Sequence, residues 1–337
     1  MPVAKIVILN WNGAEHLRRF LPSVVAAAPE GVGVVVADNG SDDDSAAFLR
    51  KHYPQVELLL LDKNYGYAEG YNRALEQVAA DCYVLLNSDV EVEEGWLGPL
   101  AKLMASNERI AALAPKILSY DRPGYFEYAG ACGGFLDAFG YPFCRGRILD
   151  TIEQDDGQYD TSRDVFWASG ACMMVRADVF RKLGGFDGDF FAHMEEIDFC
   201  WRAQLAGYRI MVEPRSRVFH LGGGTLPNNS PRKLYLNYRN NLSMLYKNLS
   251  KRTLWPLLFT RMVLDGMSAF VFLMQGRRDF FKVVFRSHMD FYKILGMLRA
   301  KRRAIQRDRT GSAAGNIYRG SIILRHAMGR RTFGRMM

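Results

Sequence analysis

Much that would classify this 337-residue chain quickly is missing from it. Its cysteines, Cys82, Cys132, Cys144, Cys172 and Cys200, are odd in number and form no C-x-x-C pair. A disulfide framework and a cysteine–zinc site are disfavoured, and reduced structural thiols in a cytosolic setting are expected. There is no internal repeat and no low-complexity tract. No signal peptide is expected, because Val3 to Leu9 reads as a first β-strand closed by Asn10-Trp11-Asn12-Gly13. The strongly apolar stretch from Leu254 to Met274 is broken by Arg261 and Asp265. Those two lie i,i+4 apart and can pair on one helix face. A charge pair near the centre makes a true membrane span costly.

Basic excess is also absent until late. Residues 1 to 275 carry 28 Lys/Arg against 33 Asp/Glu, whereas residues 276 to 337 carry 16 against 3. The formal net charge of +8 therefore belongs to the tail, which carries +13 against −5 for the rest. Such a tail suits a polyanionic surface, either membrane or nucleic acid. Trp and Phe in the preceding apolar helix, with Phe and Met among the later basic residues, favour lipid over nucleic acid. Apolar helices flanked by Lys/Arg fit a segment lying in a membrane interface; a helical bundle packed on the main domain is the alternative.

With 49% hydrophobic and 24% charged residues, the chain is globular, large enough for one α/β domain plus an appendage. Strand signals at Lys5–Leu9, Gly33–Ala37, Val56–Leu61 and Cys82–Leu86 alternate with helix signals at Glu15–Ala27, Ser45–His52 and Gly70–Ala79. Apolar strands without polar alternation, separated by helices, predict a mostly parallel sheet covered on both faces. Such sheets bind ligands at the carboxyl ends of their strands. The polar triplets Asn10-Trp11-Asn12, Asp38-Asn39-Gly40 and Asn87-Ser88-Asp89 all fall at those ends. Residues 120 to 165 are irregular, rich in Gly and aromatics, and fit short strands with an acceptor-side loop. Glu195 to Ala206 reads as a helix.

Five segments could carry chemistry. Asp89 closes a buried strand, where one carboxylate plus substrate phosphates can hold Mg²⁺; a turn or cap role is the plain alternative. Asp38 can accept hydrogen bonds from a nucleobase or ribose, or close an Asx turn with Ser41 or Asp42 capping the next helix. Asn64-Tyr65-Gly66-Tyr67-Ala68-Glu69-Gly70-Tyr71-Asn72 is glycine-punctuated at a helix start, which favours phosphate. It is neither a P-loop nor G-x-G-x-x-G, which weighs against an NTPase or a dehydrogenase. Glu195, Glu196 and Asp198 crowd one helical turn. Crowding raises at least one pKa, as a general base needs, although first-turn acids and an Asp198–Arg202 pair also suit a plain helix. His220 ends another apolar strand before a Gly run, as a metal ligand or a structural residue.

Together these segments resemble the inverting family 2 glycosyltransferases of GT-A fold, over roughly residues 3 to 245. The matching pieces are Asn10-Trp11-Asn12-Gly13, Asp38-Asn39-Gly40-Ser41, Asn64-x-Gly66-x-Ala68-x-Gly70-x-Asn72 and Asn87-Ser88-Asp89. Ser169-Gly170-Ala171, Gly184-Gly185-Phe186-Asp187, Glu195-Glu196-x-Asp198 and His220-x-x-Gly223 follow in order. Tyr238-Arg239-Asn240-Asn241 before apolar–basic helices resembles the branch holding bacterial rhamnosyltransferases of cell-surface polysaccharide synthesis. There are two departures: Asn87 stands where the family has the first acid of its metal triplet, and Glu195-Glu196 replaces Glu-Asp.

The resemblance implies a GT-A catalytic domain over 1–245 and a basic, apolar helical region over 246–337. It implies that Asp38 binds the base and ribose, and that Asp89 and His220 hold Mg²⁺ or Mn²⁺ on the donor diphosphate. It makes Glu196 the base, with Glu195 and Asp198 shaping its site. Asn10, Asn12, Asn39, Asn64, Gly66, Asn72, Asn87, Ser88, Gly170 and Arg202 would contact substrate. The implied reaction is single-step, inverting sugar transfer from a UDP- or dTDP-sugar, with dTDP-rhamnose a candidate, to a lipid-linked or polysaccharide hydroxyl. Its expected place is peripheral, on an anionic membrane surface at the cytoplasmic face of the inner membrane. The competing expectations are a catalytically silent membrane-surface binding protein of the same fold, and a sugar nucleotidyltransferase.

Overall fold

A computed structural model describes residues 3–222 and 230–336. Gly223, within the His220-x-x-Gly223 motif, lies outside them. Strands and helices alternate first: β1 (Ala4–Asn10), α1 (Ala14–Ala26), β2 (Gly33–Asp38), α2 (Ser45–His52), β3 (Glu57–Leu60), α3 (Gly66–Leu75) and β4 (Cys82–Asn87). Then come β5 (Val90–Val92), α4 (Leu97–Ser106) and β6 (Ile110–Ser119). The irregular segment forms β7 (Gly134–Asp137), β8 (Pro142–Cys144), β9 (Arg147–Ile148), β10 (Thr151–Ile152) and β11 (Arg163–Asp164). The domain closes with β12 (Cys172–Arg176), α5 (Ala177–Lys182), α6 (Glu195–Leu205) and β13 (Arg209–His220). Four long helices follow, α7 (Pro231–Asn248), α8 (Leu254–Met274), α9 (Arg278–Lys293) and α10 (Leu295–Arg307), then β14 (Ile317–Tyr318) and two short helices.

The main sheet runs β11-β13-β6-β12-β4-β1-β2-β3, with β5 beside β13. Strands β3, β2, β1 and β4 are parallel, as expected from the sequence. Strand β12 inserts antiparallel to both β4 and β6, and β5 and β11 run antiparallel to β13, so the sheet is mixed. The reason is physical. Apolar runs report burial on both faces, and β12 is as buried as its parallel neighbours; direction leaves no mark on composition. A second sheet, β10-β9-β8-β7-β14, takes the expected acceptor-side region and draws in β14 from the far end of the chain.

All five cysteines are free and buried. Helix α3 starts four residues before its expected position. Asn64 Oδ1 accepts from the Gly66 amide (2.8 Å) and Asn39 Oδ1 from that of Tyr65 (3.0 Å), so this corner opens the helix early. The C-terminal helices are not a free tail: α7 packs on α6, α8, α9 and α10, and α8 packs on α9. The i,i+4 pair forms as expected. Arg261 Nε donates to Asp265 Oδ1 at 2.8 Å, with its guanidinium 3.8 Å from the centre of the Tyr141 ring.

Candidate active site

The parallel register brings the polar strand ends to one edge: Asn10 lies opposite Asp38, and Leu9 opposite Asn87. Because β12 is antiparallel to β4, its beginning reaches the same edge, where the Asn87 amide donates to the Ala171 carbonyl (3.0 Å). At the β1–β2 end, Asp38 is buried. It accepts from Asn10 Nδ2 (3.0 Å) and the Ser41 amide (2.9 Å), closing the Asx turn. Asn12 Oδ1 accepts from the Asp42 amide (2.9 Å). The start of α2 is supported by Asp43, not Ser41 or Asp42: Asp43 Oδ1 accepts from the Ser45 amide at 3.0 Å.

Asp89 and His220 meet beside this edge, 3.2 Å apart between Oδ1 and Nε2, and both are buried. His220 Nδ1 faces Glu127 Oε2 at 3.4 Å, and Asn87 Nδ2 is 3.5 Å from Nε2. Burial alone would lower the His220 pKa, but Asp89 and Glu127 push it up to about 10. Burial would raise Asp89, but the His220 hydrogen bond, the His220 and His16 charges and its own backbone amide together outweigh it, so the carboxyl ionises more readily than usual. The pair suits a divalent cation. Cis ligands on bonds of 2.0–2.1 Å stand about 3 Å apart, close to the observed separation. Metal binding would displace the His220 proton. Among the described residues no group of three or more His, Cys, Asp or Glu is arranged to hold a metal, so substrate oxygens would complete the shell. Glu127 was not anticipated from the sequence. It sits in the irregular segment, where neither periodicity nor motif marks it.

A strained loop opens α6. Phe191, His193 and Met194 all take positive φ (64°, 69° and 74°), a strained path for non-glycine residues. Its anchor is α3: the Tyr67 amide donates to the Phe191 carbonyl (2.6 Å), and Tyr67 Oη to that of Gly170 (2.6 Å). Loop, Gly170 and the Asn87–Asp89 turn are thus contiguous. Gly66 is required there, because its φ is +78° and a Cβ would fall 2.5 Å from the Phe191 ring.

Burial first, then the Glu196 charge, raises the Glu195 pKa well above normal. Burial also raises Glu196, to about 7, against the pull of its own amide and that of Ile197. Burial lowers His193 to about 4, leaving it neutral. Glu195 Oε2, Glu196 Oε2 and His193 Nε2 are all buried without a hydrogen-bond partner. Buried polar atoms are normally paired, so three orphans on neighbouring residues leave hydrogen-bonding capacity open at the start of α6.

Several expected site residues turn out to brace the fold. Asp198 is fully buried. It accepts from Arg202 Nε (2.8 Å) and Asn248 Nδ2 (2.8 Å) and pairs with Lys247 (3.0 Å). Arg202, expected on substrate, donates instead to the carbonyls of Leu183 and Gly185, each at 2.7 Å. Asn72 forms a two-way bond with the Phe186 backbone, at 2.9 Å each way. Asn39 is taken up by Tyr65 and Gly66. Arg202, Asn72 and Asn39, expected on substrate, have their polar groups engaged by protein partners, and Asp198, expected to shape the Glu196 site, is held by Arg202, Lys247 and Asn248. Asn10, Asn12, Asp38, Asn64, Gly66, Asn87, Ser88 and Gly170 lie at the strand edge or its loops.

Polar turns, a carboxylate–imidazole pair and an acidic helix start thus lie along one edge of a mixed sheet. Residues 5–184 match the model of glycosyl transferase family 2, and the chain belongs to that family. It is 30% identical to N-acetylglucosaminyl-diphospho-decaprenol L-rhamnosyltransferase of Mycobacterium tuberculosis, over 65% of this chain and 76% of that one. It is 26% identical to rhamnosyltransferase WbbL of Escherichia coli, over 64% and 82%. Among solved structures, S. aureus TarS 1-349 in complex with UDP-GlcNAc superposes with a TM-score of 0.56 at 15% identity, covering 97% of this chain and 92% of that one. GalNAc-T7 with UDP, GalNAc and Mn²⁺ gives 0.57 at 16% identity, over 73% and 48%. The fold is GT-A-like.

Proposed function

We propose that this glycosyltransferase moves a sugar, rhamnose from dTDP-rhamnose foremost, onto a hydroxyl of a lipid-linked acceptor, with inversion and with a divalent metal. The observation that carries the reading is the set of orphaned buried atoms on Glu195, Glu196 and His193, joined through Tyr67 and Gly170 to the Asp89–His220 pair. The similarity to rhamnosyltransferases, one acting on a diphospho-decaprenol acceptor, supports the donor and acceptor.

Asp38, with Asn10 and Asn12, would frame the base and ribose, and Asn87 and Ser88 the sugar-phosphate side. Asp89 and His220 would hold Mg²⁺ or Mn²⁺, which when bound supplies charge stabilisation for the departing diphosphate. Glu196 takes the proton of the acceptor hydroxyl as that oxygen attacks the anomeric carbon. The bond from that carbon to the diphosphate oxygen breaks, and its electron pair leaves with the nucleoside diphosphate. Glu195, whose carboxyl burial shifts toward the protonated form, would donate a hydrogen bond when protonated, and neutral His193 can orient the acceptor.

Membrane association belongs to the same reading. Trp255, Phe259, Val263, Met267, Phe270 and Met274 are all exposed along one side of α8. The opposite side, with Leu254, Leu258, Arg261, Asp265 and Ala269, is buried on the protein. Phe281, Phe285, Met289 and Tyr292 extend the exposed stripe along α9, beside Arg278, Lys282 and Arg286. By length and composition α8 alone among the described residues would reach across a membrane. Docked along its other side, it would instead lie in the interface of an anionic membrane, on the cytoplasmic face.

A screen of nucleotide-diphosphate sugars with Mg²⁺ or Mn²⁺, read by nucleotide release in the presence of membrane extract, tests the reaction. Turnover of one donor that Asp89→Ala and Glu196→Gln both abolish is expected. Release from no donor, or turnover untouched by both changes, overturns the reading.

A further inference from the structure

We infer that Arg239 and Asn240 of α7 are positioning residues for catalysis: they clamp the strained loop that aims Glu196. This rests on the transferase reading above. Asn240 is fully buried, and its amide nitrogen faces the carbonyls of Phe190 (3.0 Å), Ala192 (2.9 Å) and His193 (2.8 Å). Two amide hydrogens serve three carbonyls, so the loop is gathered around one side chain. Arg239 fixes which way that side chain points. Its Nε and Nη2 donate to Asn240 Oδ1 at 2.9 and 2.7 Å, so the amide cannot flip without turning its nitrogen onto a guanidinium. Arg239 Nη2 also reaches the Asp189 carbonyl at 2.7 Å.

The clamped carbonyls interleave with the strained residues, with Phe191, His193 and Met194 at positive φ immediately before Glu195. Such backbone persists only where surroundings over-determine it, and here the carbonyls are held on one side and Tyr67 holds the Phe191 carbonyl on the other. The loop sets where α6 begins, and so where the amides of Glu196 and Ile197 meet the Glu196 carboxylate. Relaxing it would move the base relative to the acceptor. Helix α7 is itself fixed to the exposed helices, through Tyr238–Ser268 (2.5 Å) and Tyr235 Oη to Asp290 (2.8 Å). The clamp therefore ties the base to the α8–α9 surface.

The test compares Arg239→Ala, Arg239→Lys, Asn240→Ala and Asn241→Ala in the full chain. Arg239 is partly exposed, so its loss is compatible with folding even if Asn240→Ala is not. Asn241 is equally buried, but its nitrogen donates to the Gly140 carbonyl at 2.9 Å, reaches the loop only at the Met194 sulfur (4.0 Å) and touches none of the three carbonyls, so it controls for buried-amide loss. Amide hydrogen exchange over 190–197 should speed up in Arg239→Ala and Asn240→Ala and not in Asn241→Ala. A shift of about 1 Å in a reacting group costs about 100-fold, so kcat should fall between tenfold and 100-fold while the donor KM stays within threefold. Arg239→Lys, lacking the fork, should recover only part of it. Unchanged exchange in Arg239→Ala overturns the clamp, whether or not the protein transfers sugar. Faster exchange with kcat retained, or kcat falling equally in Asn241→Ala, overturns the positioning role. Absence of turnover in the unaltered protein counts against the transferase reading alone, and exchange still decides the clamp.

Discussion

Replacing Glu196 with Gln should make the protein more stable while removing its chemistry. Burial raises the Glu196 carboxyl from 4.5 to about 7. A folded pKa above the unfolded one means that the native state keeps the proton longer. Stability from this group is therefore full below pH 4.5, declines as pH rises from 4.5 to 7, and levels off above. Each pKa unit is worth about 1.4 kcal/mol, so the ionised carboxylate costs about 3 kcal/mol at pH 8 and under 1 kcal/mol at pH 5. Gln has the same shape and no charge, so Glu196→Gln should gain about 2 kcal/mol more at pH 8 than at pH 5. Urea unfolding of both proteins at the two pH values reads this directly. The kcat of the unaltered enzyme should rise with pH through about 7, as the base ionises, and Gln should lower it by roughly 10²–10⁴-fold. A Gln variant less stable than its parent at pH 8, or a gain equal at both pH values, would refute the assignment of Glu196 as a destabilised base.

Two further outcomes follow from other parts of the fold. Lys247 is buried between Asp187 and Asp198, which keep Lys301 and Arg202 as partners, so Lys247→Met should cost about 1.5–3 kcal/mol through the lost charge-assisted hydrogen bonds, and thermal melting should show it. A double change of Phe259 and Met267 to Ser removes two exposed apolar side chains from α8. Each is worth about 1.5–3 kcal/mol when buried, so co-sedimentation with anionic vesicles should drop at least tenfold, with nucleotide release on a soluble acceptor unchanged; equal sedimentation would sink the in-plane surface.

The first half of the fold was legible because its signals are local. Helix α2 has its expected bounds, and the strand-end triplets Asn10–Asn12, Asp38–Gly40 and Asn87–Asp89 do share one edge. The Asp89–His220 meeting was legible only through the family resemblance, since 131 residues separate them and each alone fits a structural role. The direction of β12 was hidden because burial, not direction, shapes composition. Glu127 was hidden because its importance comes from facing His220 across two strands' ends, a relation that no spacing encodes.

Glu195, Glu196 and Asp198 show the limit most clearly. In sequence they are three similar acids within one helical turn. The structure separates them by what α7 and α6 set opposite each. Asp198 meets Lys247, Asn248 and Arg202 and is neutralised inside the fold. Glu195 and Glu196 keep orphaned oxygens and have their pKa values raised by burial. Two of the three groups that make Asp198 structural come from about 50 residues away, on the helix that also carries Arg239 and Asn240. The same helix that binds the spare acid into the core thus leaves its neighbours unpaired and holds their loop in place. The acidic helix start and the Tyr238–Asn241 segment belong to one device, and a change in either should be felt in the ionisation of Glu196.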